Sequence, residues 1–140
     1  MTMKSYQTQA KENGSLLFLP SLFYETMDII FDSYEYFQFQ ENSEQDHVPP
    51  FLHAMYSHEM SRITMRLTSV MAWLMARKAI SSGQLGGEDD PNSYRLDAID
   101  ECMMRNEAME EYMPDYMKFL LDESFKLYER VYRLDRQLDS

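Results

Sequence analysis

Residues 55–83 read MYSHEMSRITMRLTSVMAWLMARKAISSG, with no proline and no glycine before the last position. Tyr56, Met60, Ile63, Leu67, Val70 and Leu74 step by four and three, which makes one apolar helical stripe. A second line holds Ser61, Met65, Thr68, Ala72, Ala76 and Ala79, all small or flexible. Such residues suit a helix where another backbone comes close. A third strip carries Glu59, Arg62, Arg66, Trp73 and Arg77. A helix on the surface of a globule shows one apolar stripe and one polar face. This one has little plainly solvated surface. It reads as a central helix, packed on one side by its own chain and on the other by something else.

The flanking segments supply the rest of that chain. A first helix is expected to open near Leu19–Ser21, where Pro20 suits an initial turn. Its stripe is read as Phe23, Met27, Ile30, Tyr34 and Phe37, widened by Tyr24 and Phe31. Glu25, Asp28, Asp32 and Glu35 fill the other side. The polar run QENSEQDHVPP then ends at Pro49 and Pro50, which break any helix. The central helix is expected from about Phe51 to Ser82, with Gly83 as its C-terminal cap. Beyond it, GQLGGEDDPN reads as a flexible acidic loop. A short helix follows, with Leu96, Ile99 and Met103 facing inward. Pro114 and Asp115 start the last helix, whose seam is Met117, Leu120, Ser124, Leu127, Val131, Leu134 and Leu138. Ser124, the one polar member, can bond back to a carbonyl one turn earlier and permit close approach.

No β-type alternation appears. The expected fold is all-α: an antiparallel three-helix bundle with a short extra helix in the second connection. Residues 1–14 are expected to form a disordered N-terminal tail, and 15–140 a single helical-bundle domain. Helices of unequal length leave part of the longest uncovered. That points to a homodimer, with Ser61, Met65, Thr68, Ala72, Ala76 and Ala79 as the candidate interface.

Composition narrows the function classes. With 44% hydrophobic and 14% aromatic residues, the chain is expected to fold rather than remain disordered. Its apolar runs are too short to span a bilayer, and no signal sequence opens it, so membrane insertion is not expected. One cysteine, Cys102, leaves no internal disulfide and fits a reducing cytoplasm. The net charge of −11 disfavours nucleic acid and anionic membranes. It favours a basic protein partner, although solubility alone accounts for it more simply.

Catalytic and metal motifs fail on spacing. His58-Glu59 begins a zinc-protease pattern, but position 62 is Arg rather than the required His. His47, His53 and Cys102 share no ligand spacing. Glu88, Asp89 and Asp90 lack the alternation of a calcium loop. Glycine is too sparse for a phosphate cradle. No cofactor, no metal and no enzymatic activity are expected. Two features stand out instead. Glu59, Arg62, Arg66, Trp73 and Arg77 form either a partner-binding face or an internal set in which Glu59 pairs with Arg62 and Arg77 stacks on Trp73. Among the 13 methionines, Met103, Met104, Met109 and Met113 are candidates for an adaptable exposed patch.

Three blocks carry a family resemblance. The central run Glu59 to Thr68 (EMSRITMRLT), Trp73-Leu74-Met75 and Arg77 to Gly83 (RKAISSG) resembles the signature of the alphaproteobacterial regulators of CtrA degradation, the RcdA family. Leu22 to Met27 (LFYETM) resembles that family's first-helix motif, and Leu127 to Asp135 (LYERVYRLD) its last-helix motif. Pro114 and Ser124 also fall where the family has them. The likeness covers roughly residues 16–138. It implies a dimeric helical bundle acting as an adaptor in the cytoplasm and at the cell pole. Its implied partners are the ClpXP protease, a CtrA-like response regulator and other adaptors. The competing reading is a structural or ligand-binding helical dimer with no role in proteolysis.

Overall fold

The computed structural model describes residues 19–42, 49–83, 95–96 and 100–138, with side chains of the first helix to residue 40. Among the described residues there are five helices and no strand. They are α1 (Leu19–Asn42), α2 (Pro50–Ser81), α3 (Asp100–Met103), α4 (Glu107–Glu110) and α5 (Asp115–Gln137). The expected N-terminal tail, the Glu88–Asp90 loop, His47 and Ile99 lie outside the described residues.

The ends follow local chemistry. Pro50 is the first residue of α2, where its missing N–H costs no helical hydrogen bond. Gly83 stops α2 with φ of 76°, a left-handed conformation open to glycine. Pro114 caps α5. The Asn106 side chain accepts the Met109 N–H at 3.1 Å and so caps α4.

α2 is the centre of the bundle and packs against both α1 and α5. Its 32 residues make a rod about 48 Å long. Ile63, Leu67, Val70 and Leu74 are buried along it, as the stripe requires, while Tyr56 and Met60 are half-buried. On α5, Met117, Leu120, Leu121, Ser124, Leu127, Tyr128 and Val131 are buried. Leu134 is half-buried and Leu138 is exposed.

Side-chain pairings give the directions. The Tyr56 and Tyr36 hydroxyls are 2.7 Å apart, and Leu19 and Phe23 share a groove with Leu74 and Lys78. α1 is therefore antiparallel to α2. Glu25 pairs with Arg130, and the Tyr36 and Tyr116 rings lie 5.0 Å apart, so α1 is also antiparallel to α5. α2 and α5 consequently run parallel. Arg66 bonds Leu121 and Ser124, and Trp73 bonds Asp135 further along both helices. The connection after α2 returns along the bundle to make this possible. Leu96 sits beside Asp135 at one end, and Cys102 beside Arg66 nearer the other.

The phase of α1 differs from the expected stripe. Its inward line is Leu22, Thr26, Ile29 and Ser33, continued by half-buried Tyr36. Phe23, Tyr24, Phe31 and Tyr34 are exposed, and Met27, Ile30 and Phe37 are half-buried. Thr26 and Ser33 are buried on that line, and small side chains suit a tight helix contact. Thr26 satisfies its hydroxyl by donating to the Leu22 carbonyl at 2.6 Å.

Candidate functional site

The strip Glu59, Arg62, Arg66, Trp73 and Arg77 faces inward. Glu59 is fully buried, Arg62, Arg66 and Trp73 nearly so, and the Arg77 side chain is 16% exposed. It does not offer a partner-binding face on this chain, which corrects that expectation. The internal alternative describes it: Glu59 accepts from Arg62 Nη1 at 3.1 Å, and the Arg77 guanidinium lies 5.6 Å from the Trp73 ring centroid. These residues hold the returning connection in two polar clamps.

The first clamp centres on Arg66. Its Nε donates to the Cys102 carbonyl at 2.9 Å and its Nη2 to the Met104 carbonyl at 2.8 Å. Its Nη1 donates to the Leu121 carbonyl at 3.0 Å and to Ser124 Oγ at 3.1 Å. One guanidinium thus ties α2 to α3 and α5. Burial, followed by the nearby Arg62 charge, pulls its pKa down to about 10. Arg62 extends the cluster, donating to Glu101 at 3.4 Å. Burial holds the Glu59 carboxyl above the usual range although Arg62 opposes it.

The second clamp centres on Asp135, which is fully buried. Its carboxylate accepts from Trp73 Nε1 at 2.8 Å, Arg95 Nε at 2.9 Å and the Leu96 amide at 3.3 Å, with Arg77 at 3.5 Å. Arg105 makes an outer brace to Glu110 at 2.8 Å and Asp122 at 3.0 Å.

Nothing in these clusters is arranged as a nucleophile with a base. The carboxylates of both clamps are engaged by cations. The Cys102 thiol is buried, and burial pushes its pKa up, away from the thiolate. Among the described residues no three His, Cys, Asp or Glu side chains are grouped to hold a metal ion. No described helix is long and apolar enough to cross a membrane.

The outward surfaces are of two kinds. On α2, Ser61, Met65, Thr68 and Ala72 are exposed, while Ala76 and Ala79 are half-buried. This line is free of charge, and Met75 beside it is 62% exposed. On α1, Tyr24, Asp28, Phe31 and Glu35 step by four, three and four to make an outer ridge that alternates rings with carboxylates. The sequence reading placed both rings in the core. The signal for the true phase was the line Leu22, Thr26, Ile29, Ser33 and Tyr36, which also steps by four and three. The expected methionine patch is divided: Met104 is exposed, Met103 and Met109 are half-buried, and Met113 belongs to the core.

Comparison with known proteins identifies relatives. Residues 12–140 match the model of a family described as a protein of unknown function (DUF1465). No curated protein matches. Among solved structures, the chain is similar to RcdA from Caulobacter crescentus CB15. The TM-score is 0.62 and the identity 26%, over 85% of this chain and 88% of that one.

Proposed function

The chain belongs to the DUF1465 family and is RcdA-like, and from that premise we propose that it is a non-catalytic adaptor in regulated proteolysis. The observation that carries this reading is the match to RcdA over most of both chains. The three sequence blocks of the RcdA family support it, since they fall on α1, α2 and α5, the three long helices. Engagement of the buried acids and cations with one another also favours a scaffold over a reaction centre.

In this proposal the chain brings a CtrA-like response regulator to the ClpXP protease, together with other adaptors. It acts in the cytoplasm and at the cell pole, as a homodimer. The uncharged line Ser61, Met65, Thr68, Ala72, Ala76 and Ala79 is the proposed subunit contact. Small side chains let two α2 helices approach to about 8–10 Å, and a two-fold axis would set the line against itself.

Reconstitution tests the function. Purified ClpX, ClpP, the regulator and its co-adaptors are mixed with and without the chain, and loss of the regulator is followed over time. Faster loss when the chain is present is the expected result. Equal loss with and without it removes the adaptor role.

A further inference from the structure

The outer face of α1 has no counterpart in the functions so far assigned. It combines Tyr24, 69% exposed, and Phe31, 58% exposed, with Asp28 and Glu35 on the same ridge. The helix contains no lysine or arginine from Leu19 to Asn42. Of its acids, Glu25 is paired with Arg130. Among the described residues no cation lies within salt-bridge distance of Asp28, Asp32 or Glu35. On α5, the exposed Tyr116 and Phe119 rings stack at 5.8 Å, and Tyr116 touches Tyr36 on the inward line of α1.

We propose that this face docks a cationic amphipathic helix of a partner protein, with apolar residues against Tyr24 and Phe31 and arginines or lysines against Asp28, Asp32 and Glu35. Two properties of the surface select that occupant. Rings flanked by carboxylates bind a cation twice, through the ring face and through charge. The four-and-three spacing matches the register of a helix laid alongside. A second copy of this chain is a poor occupant, because two-fold pairing of α1 with α1 would set uncompensated carboxylates against one another. The proposal rests on the reading of the chain as an adaptor and supplies the chemistry of one partner.

The test uses the full chain and a fluorescein-labelled synthetic peptide of leucines on one face and arginines on the other. At about 18 residues the peptide spans five helical turns. Binding is read by anisotropy. The expected result is saturable binding that weakens about tenfold in the charge-neutral variant Tyr24→Ala/Phe31→Ala. It also weakens in Asp28→Lys/Glu35→Lys and is unchanged in Glu107→Lys/Glu111→Lys, an equal charge reversal elsewhere. Equal binding by the ring variant overturns the proposal. So does an equal loss in the Glu107/Glu111 variant, which would reveal attraction to net charge alone. Absence of saturable binding also overturns it, as follows if another part of the chain covers the face. A change in oligomeric state of the ring variant by light scattering makes a second copy the occupant and overturns it as well. Failure here leaves stimulated degradation of the client intact, whereas failure of the adaptor reading leaves peptide binding intact.

Discussion

Arg66 Nη1 and Ser124 Oγ lie 3.1 Å apart in the interior, joining α2 to α5. The relationship accounts for the one polar residue in the α5 seam. Ser124 also donates to the Leu121 carbonyl at 3.1 Å, so its hydroxyl serves both helices. Ser124→Leu is expected to lower stability by about 1–3 kcal/mol through overpacking, and Ser124→Ala by about 1 kcal/mol. Urea unfolding of the two variants checks the order. A Leu variant as stable as the parent would mean that the site has room to spare.

Arg66 is the larger commitment, because it donates to three backbone carbonyls. Arg66→Met is expected to cost about 3 kcal/mol, since the buried guanidinium is removed and the Cys102 and Met104 carbonyls lose its hydrogen bonds. Arg66→Lys should recover only part of this, because one ammonium cannot reproduce the planar fork. Hydrogen exchange locates the damage: amides of residues 100–104 should lose protection before those of α2.

Asp135 places the sole tryptophan of the chain in a reporting position. Asp135→Ala removes the acceptor from Trp73 and the partner of Arg95. The expected result is a red-shifted emission and a loss of about 3 kcal/mol. An unchanged spectrum would mean that the indole is held by packing alone.

Alkaline pH should act through Tyr56. Burial, and then the Tyr36 hydroxyl, raise the Tyr56 pKa above its ordinary value of about 10. The folded state therefore keeps a proton that the unfolded state releases. The stability this provides is complete below pH 10 and is lost as pH climbs above it. Arg66, with its lowered pKa, contributes with the opposite sign, so the informative quantity is the difference between parent and Tyr56→Phe. That difference should shrink from pH 9 to pH 11 in thermal melts (~ values bracketing the free tyrosine pKa). A constant difference would contradict the linkage.

The long helices were legible because α2 and α5 each have one dominant apolar period with proline or glycine at the ends. α1 was harder. Its rings outweigh Thr26 and Ser33 in any hydrophobicity count, yet the close approach of helices selects small residues over apolar ones. Arg66 and Asp135 were harder still. The acceptors of Arg66 are mostly backbone carbonyls, and the partners of Asp135 lie about 40 and 60 residues away. Residue types alone therefore left the arginine strip open to two readings, a binding face or an internal set. The return of the connection along the bundle, which makes α2 and α5 parallel, has no local signature either.

The proposed adaptor role is tested most directly by the half-life of a CtrA-like regulator in cells lacking this chain. The account predicts a longer half-life, restored by the parent chain and not by Ala72→Glu/Ala76→Glu. That variant sets like charges face to face in the proposed dimer contact and should be a folded monomer by light scattering. A regulator half-life that is the same with and without the chain would contradict the account.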